Sequence, residues 1–320
     1  QSAYTVGQNL DIEALSDSGA LSVTYGADRQ SITIGGLTNV TTVKLTALVS
    51  KNIVSRKIKT ASKMRAMKIT RTAKQQDVQR FGLLYGGLYG TRIEDNEISF
   101  GLNDVYKLHA VYESSDDNPP KIPYIVLSEA TFFAPGTVIT GGTSGARAIV
   151  VSFINSTLRL YNVDLNGSAF SPGETVTGVD ADNNVLTATI DDADGSVEKG
   201  SKVITNQYEL NQAQNPFFYD VSRLVRKPGT TPPTRQLMAV FDYFIHEASG
   251  DYFSGQSYTG IEFSDIPSPI LKGSSQTVRD QIDFRPAVGE LATGQGTVGS
   301  PFEVTCATLD FDARQFSTTG

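Results

Sequence analysis

Six carboxylates crowd the C-terminal third of the chain: Asp242, Asp251, Glu262, Asp265, Asp280 and Asp283. Two carboxyl groups held roughly 5–10 Å apart across a sugar are what a polysaccharide hydrolase needs, one as acid and the other as nucleophile or base. An acidic β-protein always offers such candidates, and nothing in this spacing fixes a distance, so no catalytic residue is assigned and the chain is not expected to be an enzyme. His109, His246 and Cys306 are the whole complement of imidazoles and thiols in 320 residues. They show no zinc-ligand spacing, and a single cysteine excludes an internal disulfide. Cys306 reads as a small buried side chain in a strand and His109 as a structural residue of the alternating run 105–113. Asp180-Ala-Asp-Asn-Asn and Asp191-Asp-Ala-Asp-Gly resemble a calcium loop only loosely, because the Glu of its twelfth position is missing. They read as solvated turns, and neither a metal nor any other cofactor is expected.

Phosphate chemistry has two candidates. Phe81-Gly-Leu-Leu-Tyr-Gly-Gly-Leu-Tyr-Gly is rich in glycine, but a dinucleotide fingerprint needs a preceding apolar strand and a following helix. Here aromatics alternate with glycine, which predicts a strand, a turn and a second strand. The other candidate is a charge asymmetry. The net charge is −7, yet no acid falls between Asp28 and Asp77, where Arg29, Lys44, Lys51, Arg56, Lys57, Lys59, Lys63, Arg65, Lys68, Arg71 and Lys74 all lie. Binders of nucleic acid interleave aromatics with such charge. This run has none, so nucleic acid is not an expected partner. The stretch reads as a solvated face or as a contact to an acidic neighbouring subunit, with Lys51, Arg56, Lys57, Lys59, Lys63, Arg65 and Lys68 as subunit-interface candidates. Charge reversal at Lys57, Lys59 and Lys63 is expected to impair assembly.

The elements that must position these residues are strands. Gly is frequent at 29 residues, Trp is absent, and Tyr and Phe number 13 and 16, a profile of short strands and many turns. No apolar run reaches the 18 residues of a membrane helix. The expected fold class is mainly β, as several small antiparallel β-sandwich or barrel domains, one inserted into another. Residues 1–50 read as a sandwich-like domain, from the alternation of Leu21–Tyr25, Ile32–Ile34 and Val43–Val49; Leu10–Leu15 could be a short helix or a strand. Residues 51–123 read as the basic segment and the first part of a scaffold domain. In the basic segment Ile53, Ile58, Met64, Met67 and Ile69 fit neither the helical nor the strand period. Ser114-Ser-Asp-Asp-Asn-Pro-Pro marks a boundary. Residues 124–194 carry an internal repeat: Phe133-Ala-Pro-Gly-Thr-Val-Ile-Thr-Gly is echoed by Phe170-Ser-Pro-Gly-Glu-Thr-Val-Thr-Gly. So short a repeat predicts a small pseudo-symmetric barrel or sandwich, inserted into the scaffold. Residues 195–320 read as the second part of the scaffold, paired in one sheet with the part before the insertion. A further boundary is expected over Gly195–Asn215.

That second part holds the densest aromatic cluster, from Phe217 to Val288. Leu237–His246 is a nearly continuous apolar strand, and the aromatics of the cluster read as core residues between prolines. Asp280, Asp283 and Arg285 alternate with apolar Ile282 and Phe284, which suggests a structural carboxylate–guanidinium pair. Phe218-Tyr-Asp-Val-Ser-Arg-Leu-Val-Arg-Lys, Val240-Phe-Asp-Tyr-Phe, Gly250-Asp-Tyr-Phe, Phe263-Ser-Asp-Ile-Pro and Val278-Arg-Asp-Gln-Ile-Asp-Phe-Arg-Pro together resemble a segment of large virion structural proteins of contractile-tailed bacteriophages, notably those infecting cyanobacteria. Asp104-Val-Tyr-Lys-Leu-His-Ala-Val-Tyr-Glu, Gly142-Thr-Ser-Gly-Ala and Pro172-Gly-Glu-Thr-Val-Thr-Gly are similar to the same proteins, so the resemblance covers about half of the chain. It implies a baseplate or tail-fibre attachment component, made in the host cytoplasm and located in the virion tail. The implied partners are other tail subunits and further copies of itself. It brings no catalytic residue with it. Such proteins are often longer than this chain, and the start at Gln1 without Met reads as a piece of one. Two alternatives stand beside it: a receptor-binding module whose repeat domain grips host-surface glycan, for which exposed aromatics on one face would speak, and a tail-associated polysaccharide hydrolase.

Overall fold

The computed structural model describes residues 5–6, 22–27, 31–36, 49–50, 53–71, 90–215, 218–247, 249–267, 275–287, 289 and 291–304. The fold is mainly β, with several antiparallel sheets and, among the described residues, short 3-10 turns but no α-helix. Near the N-terminus, β1 (Thr5–Val6), β2 (Ser22–Tyr25), β3 (Ile32–Gly35) and β4 (Val49–Ser50) form two small antiparallel pairs, β1 with β4 and β2 with β3. The readings for Leu10–Leu15, most of Val43–Val49, Phe81–Tyr89 and Cys306 lie outside the described residues.

Within the basic segment, residues 59–69 form one long strand, β5 (Lys59–Ile69), followed by β6 (Glu97–Asn103) and β7 (Val105–Glu113). Its apolar residues fit neither period for a structural reason. Met64 has a φ of +56°, and the register of β5 against its partner slips between Ser62 and Arg65. A β-bulge inserts one extra residue, so the buried positions before and after it are out of phase.

Residues 124–198 form a barrel from β8 (Tyr124–Val126), β9 (Val138–Gly141), β10 (Arg147–Ile154), β11 (Arg159–Asp164), β12 (Thr175–Val179), β13 (Val185–Thr189) and β14 (Val197–Glu198). The sheet order is β13-β12-β9-β10-β11-β8-β14, and a bridge from Leu127 to Ile190 joins β8 back to β13. The last strand lies past the boundary expected at 194. The repeat supplies two adjacent strands. Pro135-Gly136 and Pro172-Gly173 each turn with the glycine at positive φ, +92° and +75°, where a side chain would be strained. Each then feeds a strand, β9 and β12, and these pair antiparallel with one another. Phe133, Ile139, Val150, Leu160 and Val176 fill the interior.

The chain then returns to the scaffold. β15 (Lys202–Val203) pairs with β7 at Glu113 and Tyr112, the residues just before the barrel. β16 (Tyr208–Asn211), β17 (Val221–Arg226), β18 (Leu237–His246) and β19 (Tyr258–Thr259) complete two sheets, ordered β15-β7-β18-β5-β19 and β16-β17-β6. β18 is sandwiched from both sides, which explains its unbroken apolar run. Leu237, Ala239, Phe241 and Tyr243 face a core shared with Phe100, Leu102 and Leu224 of the three-stranded sheet. Met238 and Val240 face the barrel, in a core with Met64, Ala66, Tyr112, Val151 and Val163. The barrel is therefore docked through packed side chains.

Candidate functional site

Besides the buried Arg92–Asp95 ion pair at 3.3 Å, charge enters the described scaffold at two buried points built by irregular backbone. The first is the bulge. Asp242 sits on the barrel-facing side of β18 in an otherwise apolar row. Its Oδ1 accepts the Met64 N–H at 2.6 Å, which the bulge turns away from the ladder, and its Oδ2 lies 2.9 Å from Nε2 of His109. A carboxylate at this place is what the bulge requires, because a buried amide without an acceptor costs about 1–3 kcal/mol.

The second is centred on Lys59. Its Nζ donates to Asp104 Oδ2 at 2.6 Å, with the side chains 0% and 5% exposed. Asp104 joins β6 to β7 with a φ of +58°, and the same Oδ2 lies 2.9 Å from His246 Nε2. Aromatic rings close around the ammonium: Tyr219 at 4.2 Å, Phe253 at 4.5 Å and Tyr258 at 5.2 Å from Nζ to the ring centres. On the far side of Tyr219, Arg285 stacks on the ring at 4.5 Å and grips Asp283 through two nitrogens, at 3.0 and 2.7 Å. The Tyr219 hydroxyl donates to the same carboxylate.

The electrostatics follow from that geometry. Burial alone would lower the Lys59 pKa, but the Asp104 charge outweighs it and holds the ammonium. Burial would raise that of Asp104; Lys59 and His246 instead hold it far below the usual carboxylate range. His246 is pushed down by burial, so its ring is neutral near pH 7. Burial raises the Tyr219 phenol, helped by Asp104 and Asp283. Each charge has an opposite partner, the cations Lys59 and Arg285 also lie against aromatic rings, and the Lys59 and Asp104 side chains are shut away from water. Chemically the arrangement is a lock that ties β5, the β6–β7 joint, the end of β18 and the segments around Tyr219, Phe253 and Asp283.

Only part of the basic stretch is free to meet a neighbour. Lys59 is sealed in the lock and Lys57 is buried beside Phe253, so the expectation of a solvated face fails at both. Both ammonium groups lie against the Phe253 ring, at 4.5 Å for Lys59 and 5.9 Å for Lys57, a placement that residue type alone cannot reveal. Arg65 bonds Ser62 at 2.7 Å, and Lys68 pairs with Glu303 at 3.0 Å. Arg56 and Lys63 are exposed, whereas Lys51 lies outside the described residues. Of the six C-terminal carboxylates, Asp242 and Asp283 are internal, Asp251 ties Ser55 and Asp280 meets Thr277. Among the described residues no group of three or more His, Cys, Asp or Glu is placed to hold a metal. Asp180 accepts from Asp182 and Asn184 within its own turn.

The reading of the signature aromatics as core needs a correction at Phe263 and Phe284. Phe253 and Asp283 form an antiparallel bridge, and Asp283 points inward to Arg285. Strand alternation then turns Ile282 and Phe284 outward; they are 62% and 63% exposed. Residues 251–253 are flanked on another side by 55–57, where the Lys57 N–H bonds the Tyr252 carbonyl and the Ser55 N–H bonds Asp251; Ile53 and Val54, next in that segment, are both exposed. Gly250, at a φ of +92°, allows the close approach, since a Cβ there would sit 2.7 Å from the Arg56 oxygen. Phe263 is likewise exposed, under the Arg279 guanidinium at 5.1 Å. No family model matches the chain, and comparison with curated proteins and with solved structures found no match.

Proposed function

We propose that this chain is a structural subunit of a phage tail, in the baseplate or tail-fibre attachment region, and that it acts through contacts with other subunits. The observation that carries the reading is the outward apolar set Ile53, Val54, Ile282 and Phe284 on the two segments that flank residues 251–253. Exposed apolar groups gathered on one surface mark protein contacts, and the neighbouring Arg56 supplies the charge that sets orientation at such a rim. The inner face of the same segments supports the reading too. The residues that carry the resemblance, Tyr219, Asp283 and Arg285, are used in the lock and not in an open cleft.

The test is a phage that carries the gene with Ile282→Ser and Phe284→Ser, both solvent-facing. Labelled antibody is expected to find the wild-type chain on the tail of purified particles. The variant is expected to keep its circular dichroism and melting temperature while dropping out of particles. Absence of the wild-type chain from virions, or full incorporation of the variant, would overturn the proposal.

A further inference from the structure

We propose that the cavity between the barrel and the scaffold sheet binds an acidic sugar. This stands apart from the subunit contact proposed above, which lies on other residues. The cavity has a volume of about 500 Å³, room for one or two sugar rings. Its floor is apolar, from the buried Ile122 and Met238. Tyr124 and Tyr161 line the barrel side, with their rings edge-to-face at 5.6 Å. Three cations share the lining: Lys68, Lys121 and Arg159.

The cations differ in what they have left to offer. Lys68 and Lys121 are held by Glu303 and Glu198, at 3.0 and 3.4 Å. Arg159 makes no ion pair with a described residue. Its guanidinium lies over the Tyr124 ring at 4.6 Å, which leaves its N–H groups for an anion. A fork of that kind takes a carboxylate or sulfate through paired hydrogen bonds. The apolar and aromatic lining suits the C–H faces of a sugar ring.

An acidic peptide would bind through its main chain to a strand edge, but Pro119, Pro120 and Pro301 in this wall have no N–H to give. A neutral sugar would leave the guanidinium unused. Together these features favour a uronic acid or a sulfated hexose over either.

The experiment titrates the full chain with digalacturonic acid, followed by saturation-transfer NMR and calorimetry, with cellobiose and triglutamate as comparators. Digalacturonate is expected to bind and the other two are not. Arg159→Gln should weaken binding about tenfold or more, the loss of one charge-assisted contact. Lys121→Gln, at an exposed side chain with no part in the core, should weaken it about two- to threefold at low salt. Unchanged melting curves exclude misfolding as the cause. No binding of digalacturonate at millimolar concentration, equal binding of triglutamate or cellobiose, or undiminished binding by both variants would each overturn the proposal. Sulfated galactose in a parallel titration decides between carboxylate and sulfate.

Discussion

Lys59 Nζ and Asp104 Oδ2 stand 2.6 Å apart, far from each other in sequence and both shut away from water. Such a pair contributes little over an apolar filling, but breaking it strands a charge. Lys59→Met should therefore cost about 3–5 kcal/mol in urea unfolding at pH 7.5. The double variant Lys59→Met, Asp104→Asn should recover a good part of that loss. A single variant within 1 kcal/mol of wild type would show that water reaches the pair.

The pH profile of stability follows from the same cluster. The folded His246 pKa is depressed by burial, so the unfolded chain takes up the proton first, and stability falls as pH drops below about 6.5. Lys59 and Tyr219 have folded pKa values raised above their unfolded ones. Their contributions are complete below about pH 10 and lost above it. Asp104, depressed mainly by Lys59 against the effect of burial, adds a further loss below about pH 4. Urea midpoints should be flat between about pH 7 and 10 and fall on both sides. In His246→Gln the slope between about pH 5 and 6.5 should shrink; an unchanged slope would place the titrating group elsewhere.

The strands and the repeat were legible because alternation and Pro-Gly turns are local. A carboxylate–guanidinium pair at Arg285 was legible too, though the structure selects Asp283 over Asp280 as its partner. The lock was not. Lys59 looks like any other lysine in a basic run, and its partner Asp104 becomes visible only when β5 and the β6–β7 joint are brought together. The bulge at Met64 blurred the period of β5, and the signal that marks it, Asp242 within an apolar strand, comes from distant sequence. Phe263 and Phe284 read as core because their aromatic character is plain, while the face each presents depends on its neighbours: at Phe284 the inward Asp283 turns it outward.

Glu174 gives a test of how the repeat is tied together. Its carboxylate accepts from the Ser171 N–H at 2.7 Å within its own copy. It also accepts from the Thr143 and Ser144 N–H groups at 3.1 and 2.9 Å and the Ser144 hydroxyl at 2.8 Å, in the loop after the first copy. Burial would raise its pKa, but these donors hold it below the ordinary value. Glutamine keeps one acceptor and turns an NH₂ toward the donors. Glu174→Gln should destabilise the barrel by about 1.5–3 kcal/mol and speed exchange of the Ser144 amide. Protection at Ser144 equal to wild type would show that the loop holds without the carboxylate.

Charge reversal along the basic stretch should divide into two outcomes. Arg56 and Lys63 are exposed, and their replacement by Glu should shift stability by less than about 0.5 kcal/mol. If acidic neighbours dock on this edge, those variants should associate more slowly, with the effect fading as salt rises toward about 0.5 M. Lys59→Glu places a second carboxylate against Asp104 inside the aromatic cage, so it should yield an unfolded or insoluble chain and report nothing about a partner. A combined reversal at 57, 59 and 63 would therefore lose assembly through misfolding alone. The informative measurement is particle incorporation of Arg56→Glu, Lys63→Glu with its melting curve alongside. A native melt with wild-type incorporation would confine the contact to the apolar set around Ile282 and Phe284.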